Sequence, residues 1–181
     1  MGWIDGVVIS GGEPTISKGL YKFIKAFCDL GVKVKLDTNG TSPEVLEDLL
    51  ENGMVDYIAM DIKAPLENNR YETVAGVKCD VEKIKKSIDL IMNNGIEYEF
   101  RTTVCPQFLD KSDVEEIAMS IRNADKYILQ SFRPNICLNK DLHDVNPYPE
   151  EILDEMADAA GKYVKKCWVR GKQKELVNRR W

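Results

Sequence analysis

Short β-rich runs alternate along this chain with stretches in which apolar residues recur at helical spacing. The short runs predict strands over 6–10 (GVVIS), 32–36 (VKVKL), 56–62 (DYIAMDI), 97–104 (EYEFRTTV), 126–131 (KYILQS) and 167–170 (CWVR). Between them, Leu20, Phe23, Ile24, Phe27 and Leu30 mark one helix, stopped at Gly31. Ser42-Pro43 starts a second, ended at Gly53, with proline at its first position. Asp80 caps a third with the stripe Val81, Ile84, Ile88 and Ile91, closed by Gly95. Ser112 with Glu115 reads as a capping box ahead of Ile117 and Ile121, and a last helix runs over about 149–164.

Such β-α alternation implies right-handed crossovers and a parallel sheet, either open and doubly wound or part of a (β/α) barrel. Residues 1–170 read as one domain, with 134–149 its longest irregular stretch and 171–181 a basic C-terminal tail.

The 181 residues carry 25 basic against 30 acidic side chains, net −5, so no basic field recruits nucleic acid. No apolar run has the length of a membrane span and no signal-peptide pattern is present, which makes the expected setting cytoplasmic. The five cysteines, Cys28, Cys79, Cys105, Cys137 and Cys167, form no CxxC or other tight metal spacing. Their odd number and the missing export signal suggest free thiols.

In parallel α/β folds ligands sit at the carboxyl ends of the strands. Those ends deliver Gly11, Gly12, Glu13 and Pro14, then Asp37, Thr38, Asn39 and Gly40, then Asp61 and Lys63, then Arg101, Thr103 and Cys105, and finally Gln130, Ser131 and Arg133. Singly, each has an ordinary reading. A Gly-Gly turn is a turn, Asp-Thr-Asn-Gly is turn chemistry, and an arginine in a strand serves an ion pair. Together they place glycines, three acids, a lysine and arginines on one rim, and buried charges need partners or ligands. His143, the single histidine, falls in a polar loop.

The stretches Gly11-Gly12-Glu13-Pro14, Leu36-Asp37-Thr38-Asn39-Gly40 and Met60-Asp61-Ile62-Lys63 resemble the radical S-adenosylmethionine (SAM) superfamily, in particular the activating enzymes of glycyl-radical enzymes. Val74-Ala75-Gly76-Val77, Arg101-Thr102-Thr103-Val104-Cys105-Pro106 and Gln130-Ser131-Phe132-Arg133-Pro134 extend the resemblance over most of the chain. It implies a partial (β/α) barrel in which SAM on a [4Fe–4S] cluster is cleaved to a 5′-deoxyadenosyl radical that takes a hydrogen atom from a glycine of the partner. It further implies that Gly11, Gly12 and Glu13 accept from the SAM amine, that Asp37 and Thr38 lie near its carboxylate, and that Asn39 belongs to the same cofactor-binding set. Asp61 and Lys63 would face the cofactor and the incoming peptide, Arg101 would bind SAM or the glycyl loop, and Arg133 would line the cofactor site. The implied partner is a glycyl-radical enzyme of the anaerobic ribonucleotide reductase or pyruvate formate-lyase type. Ala64-Pro65 and Phe132-Arg133-Pro134 favour the former.

The family's CxxxCxxC cluster motif has no counterpart here, so the first β/α unit and the cluster ligands are expected to be missing, and the chain to be inactive by itself. That fits a fragment of an activase, with a non-catalytic binding module as the alternative from another class. A phosphate- or nucleotide-binding (β/α) protein is a third reading, opposed by the Glu13 carboxylate and by the absence of GxxxxGK or GxGxxG. The exposed edge of the first strand predicts a dimer.

Overall fold

Period-two alternation inside the strands decides which face of the sheet each side chain meets. A computed structural model of the chain describes residues 4–137 and 139–170. All six predicted strands form: β1 Gly6–Ile9, β2 Lys33–Thr38, β3 Tyr57–Asp61, β4 Glu97–Val104, β5 Tyr127–Ser131 and β6 Cys167–Val169. They make one parallel sheet in the order β1-β2-β3-β4-β5-β6. A doubly wound sheet reverses its strand order at a switch point. This one never does, so of the two architectures open from the sequence it takes the barrel-type winding.

On one face Val34, Leu36, Ile58, Met60, Phe100 and Leu129 are buried in a single core with Ile24, Leu46, Ile84, Ile91, Ile117 and Leu153 from the helices. Those helices are α1 Leu20–Asp29, α2 Pro43–Glu51, α3 Asn68–Ala75, α4 Val81–Asn93, α5 Lys111–Ser120 and α6 Glu150–Ala160. The alternate positions Lys35, Asp37, Tyr57, Ala59, Asp61, Glu99 and Arg101 fall on the other, open face. Polar groups that do enter the core are satisfied. Thr102 Oγ1 donates to the Ile62 carbonyl at 2.8 Å and accepts from Tyr127 Oη at 2.9 Å.

Three features differ from the sequence expectation. Helix α3 is additional: of its eight residues only Tyr71 is buried, so the stretch carries no apolar stripe. Helix α5 is capped two residues earlier than expected. Asp110 accepts from the backbone N–H groups of Ser112 and Asp113, and the Asp113 carboxylate accepts from Asp110 N in return. Strand β2 continues through Asp37 and Thr38, so both are strand residues rather than loop residues. The expected basic tail, 171–181, lies outside the described residues. Among the described residues no helix is long and apolar enough to cross a membrane.

The turn after β2 depends on Gly40, at φ +75°. A Cβ there would collide with Cε of Met60, a side chain fully buried in the core, while the Gly40 carbonyl accepts from Ser87 Oγ at 2.7 Å. Gly40→Ala therefore combines a left-handed backbone with overpacking. It should cost about 2–4 kcal/mol, read as a lower urea midpoint at unchanged slope.

Candidate functional site

The loop after β1 is built to leave backbone uncovered. Gly11 takes φ +148°, and nothing stands within 4 Å of where a Cβ would lie at Gly11 or Gly12. The next residue closes the turn. Glu13 caps a short 3-10 turn over Pro14–Ile16, its Oε1 accepting from Thr15 N at 3.1 Å and Thr15 Oγ1 at 2.6 Å. The same oxygen accepts from Thr38 Oγ1 at 2.8 Å, and Oε2 accepts from Asn39 N at 2.6 Å. Glu13 thus ties the β1 loop to the end of β2. Oε1 is fully used by three donors, whereas Oε2, with one, keeps capacity for another. Thr38 Oγ1 also accepts from Gly40 N, and Asn39 Oδ1 accepts from the backbone and hydroxyl of Thr41.

Deeper on the open face, Arg101 joins three strands. Its Nε donates to Asp61 Oδ1 at 2.8 Å, the directly paired residue of β3, and its Nη1 donates to Asp37 Oδ2 at 3.2 Å on β2. The reach across β3 passes over Ala59, the residue in register with Asp37. Burial alone would lower the Arg101 pKa, but Asp61 and Asp37 outweigh it and hold the guanidinium charged. Asp37 Oδ1 is buried with no hydrogen-bond partner. An acceptor left unpaired beside an ion triad is unusual in a native fold. Lys63 Nζ, half-exposed, lies 3.6 Å from Asp61 Oδ2, and its backbone N–H donates to Tyr71 Oη at 3.1 Å. The additional helix α3 therefore holds the backbone of Lys63.

Below the triad lies a residue that sequence reasoning missed. Glu99, 7% exposed, accepts from Arg170 Nη2 at 2.8 Å, from Tyr57 Oη at 3.0 Å and from Lys35 Nζ at 3.4 Å, and its Oε1 stands 3.9 Å from Arg101 Nη1. Burial would raise its carboxyl, but Lys35, Arg170 and Tyr57 more than offset this and hold it below the ordinary 4.5. The signal was present in β4, where Glu97, Glu99, Arg101 and Thr103 alternate with Tyr98, Phe100, Thr102 and Val104.

The structure brings Asp37, Asp61, Lys63 and Arg101 together, and joins Glu13 to Thr38 and Asn39 on the adjoining rim. Arg133 is exposed, at the start of a 3-10 turn over Pro134–Ile136, and makes no ion pair among the described residues. His143 Nε2 lies 2.9 Å from the Cys137 carbonyl, on an exposed loop.

A sequence model described as the Radical SAM superfamily matches residues 1–121. The chain belongs to the radical SAM superfamily. A Methanocaldococcus jannaschii protein that carries the name of a putative glycyl-radical enzyme activating enzyme is 36% identical over 171 residues, 92% of this chain and 70% of the relative. A second protein of that organism, named likewise, is 30% identical over 166 residues, 89% of this chain and 61% of its own length. Among solved structures, a domain of pyruvate-formate lyase-activating enzyme from Bacteroides vulgatus superposes with a TM-score of 0.72 at 19% identity, over 92% of this chain and 99% of that one. That likeness bears on the fold, a radical SAM partial barrel.

The superfamily implies two groups. The residues present fit SAM: the orphaned Asp37 Oδ1, the uncovered Gly11–Gly12 backbone and the spare Glu13 Oε2 are acceptors suited to an amine, with Arg101 and Lys63 close by for a carboxylate. They do not fit a [4Fe–4S] cluster. The five cysteines fall on α1, ahead of α4, after β4, after the 3-10 turn at 134–136 and on β6. Among the described residues no three His, Cys, Asp or Glu side chains gather as metal ligands. Burial pushes the Cys79 and Cys105 thiols up and Cys167 up to about 12, whereas cluster ligands are thiolates.

Anaerobic addition of iron and sulfide to this chain should accordingly give no stable [4Fe–4S] absorption; a stoichiometric, lasting chromophore would refute the cysteine argument. Glu99→Gln should lower stability near neutral pH by about 3 kcal/mol, because Arg170 and Lys35 lose their buried counter-charge. A depressed carboxyl contributes above its unfolded pKa and loses that contribution as pH falls through its folded one. The parent–variant difference in urea titrations should therefore shrink below about pH 4.5.

Proposed function

We propose that the open face of this chain binds SAM and meets the glycine-bearing loop of a glycyl-radical enzyme, as the SAM-holding part of an activating system. Asp37 carries the proposal: its Oδ1 is buried, unpaired and adjacent to a charged guanidinium. The relatives named as glycyl-radical enzyme activating enzymes support the partner class. An anaerobic ribonucleotide reductase is the leading target on the Ala64-Pro65 and Phe132-Arg133-Pro134 stretches.

The Gly11–Gly12 carbonyls and Glu13 Oε2 accept from the amino group of SAM, which glycine permits because no Cβ intervenes. Thr38 and Asn39 hold Glu13 in place for that contact. Asp37 and Asp61 fix Arg101, so that its planar donors meet a carboxylate in a set orientation. Lys63 offers a second, movable charge at the rim for the carboxylate of the ligand or for the incoming peptide. Arg133, exposed on the loop after β5, suits a contact at the outer side of the same mouth. When bound, SAM supplies the hydrogen-abstracting group, and the protein's work is to hold it, orient it and keep water from it.

The placement of the cysteines favours a chain that binds without cleaving SAM on its own, as a non-catalytic module would. Calorimetric titration with SAM tests the site directly. Asp37→Ala and Glu13→Ala should each weaken binding by about tenfold or more, the worth of one or two lost charge-assisted hydrogen bonds. Unchanged affinity in both variants would remove the site assignment. Methionine formation by the unsupplemented chain under reducing conditions would overturn the binding-only reading and leave the site intact.

A further inference from the structure

Three acids of the open face, Asp37, Asp61 and Glu99, lie among four cations, Lys35, Lys63, Arg101 and Arg170. Yet one carboxylate oxygen there, Oδ1 of Asp37, is buried and accepts from none of them. A buried carboxylate oxygen gains from any cation that can reach it, so something keeps these cations away.

Lys35 has the shortest path to Asp37. The two stand two residues apart on β2, which puts their Cα atoms about 7 Å apart and both side chains on the open face. Val34 and Leu36 take the opposite, buried face. A lysine stem is long and rotatable, so its ammonium can move between nearby acceptors. Lys35 reaches sideways instead. Its Nζ stands 4.9 Å from the ring centre of Tyr57 on β3 and 3.4 Å from Glu99 Oε1 on β4, and the side chain is 12% exposed.

The other cations are held more firmly. Arg101 is bound to Asp61 Oδ1 and to Asp37 Oδ2, and Lys63 pairs with Asp61 Oδ2. Arg170 Nη2 donates to Glu99 Oε1 at 2.8 Å. Glu99 Oε2 accepts from Tyr57 Oη at 3.0 Å, which turns Oε1 toward the cations. Removal of the Glu99 charge would therefore free Lys35 first, because its contact is the longer of the two on Oε1 and its own strand carries Asp37.

We propose that Glu99 is a positioning residue of the ligand site: by holding Lys35 it keeps Asp37 Oδ1 open to the amino group of SAM. The inference rests on the reading of the open face as a SAM site. The ammonium of Lys35 and that of the ligand have the same chemistry, so Lys35 is an internal competitor for the acceptor. Glu99 engages that competitor from two strands away and leaves Asp37 paired through Oδ2 to Arg101. This gives a reason for a charged floor where well-packed apolar side chains would be less costly to bury.

Calorimetric titration of SAM into the parent, Glu99→Gln, Lys35→Met and the double variant tests this as a cycle. Glu99→Gln keeps the shape and loses the charge, and should weaken SAM binding by about tenfold or more. Adding Lys35→Met removes the competing ammonium and should return the affinity to within about twofold of the parent. Each protein is titrated under conditions in which circular dichroism shows it folded, so the affinity is that of the folded chain and not a measure of stability. Glu99→Asp, which keeps the buried charge but withdraws it by one methylene, should show a smaller loss and the same rescue. Full affinity in both Glu99 variants, or loss that Lys35→Met does not reverse, overturns the proposal and leaves the SAM site standing. A parent chain that binds no SAM overturns both.

Discussion

The open face is organised by one side chain, the guanidinium of Arg101. It binds Asp61 on the neighbouring strand and reaches Asp37 on the next across the small side chain of Ala59. Three strands are thereby locked at the level where a parallel α/β sheet presents ligands. A buried ion triad is costly unless its hydrogen bonds are complete. Here Asp37 Oδ1 has none, so that exception is the informative atom.

Around that triad the charges are arranged in layers. Glu13 closes the rim by linking the loop after β1 to the turn after β2. Glu99 closes the floor by gathering Lys35, Tyr57 and Arg170 from three further positions. Helix α3 enters the same arrangement indirectly, through Tyr71 on the backbone of Lys63. Arg70 of α3 also pairs with Asp113 and Glu116 of α5, which anchors the helix to the outer layer. The open face of this radical SAM chain is thus polar, with acids and bases interleaved, while the opposite face of the same strands is almost wholly apolar.

Much of this is readable without coordinates. Strand positions, the starts of α2 and α4 and the stops at Gly31, Gly53 and Gly95 follow from local signals that do not depend on distant contacts. Helix α3 escapes because a helix that buries a single tyrosine has no periodic pattern to detect. The cap of α5 is ambiguous because Asp110 and Ser112 are equally good cap residues, and only the reciprocal bond from Asp113 chooses between them. Glu99 sits inside a strand rather than at its end, where ligand-facing residues are expected, although the alternation of β4 sets it on the same face as Arg101.

The sequence by itself determined the six strands, the alternation with helices and the family, because hydrophobic period, turn residues and short motifs are properties of neighbours in the chain. It also named Glu13, Asp37, Asp61, Lys63 and Arg101. Tertiary structure alone decided the strand order, the bonding of Arg101 to two acids from different strands and the concentration of three donors on Glu13 Oε1. Each of these depends on which residues distant in sequence meet in register, and register is set by the packing of the whole sheet rather than by any one stretch of it.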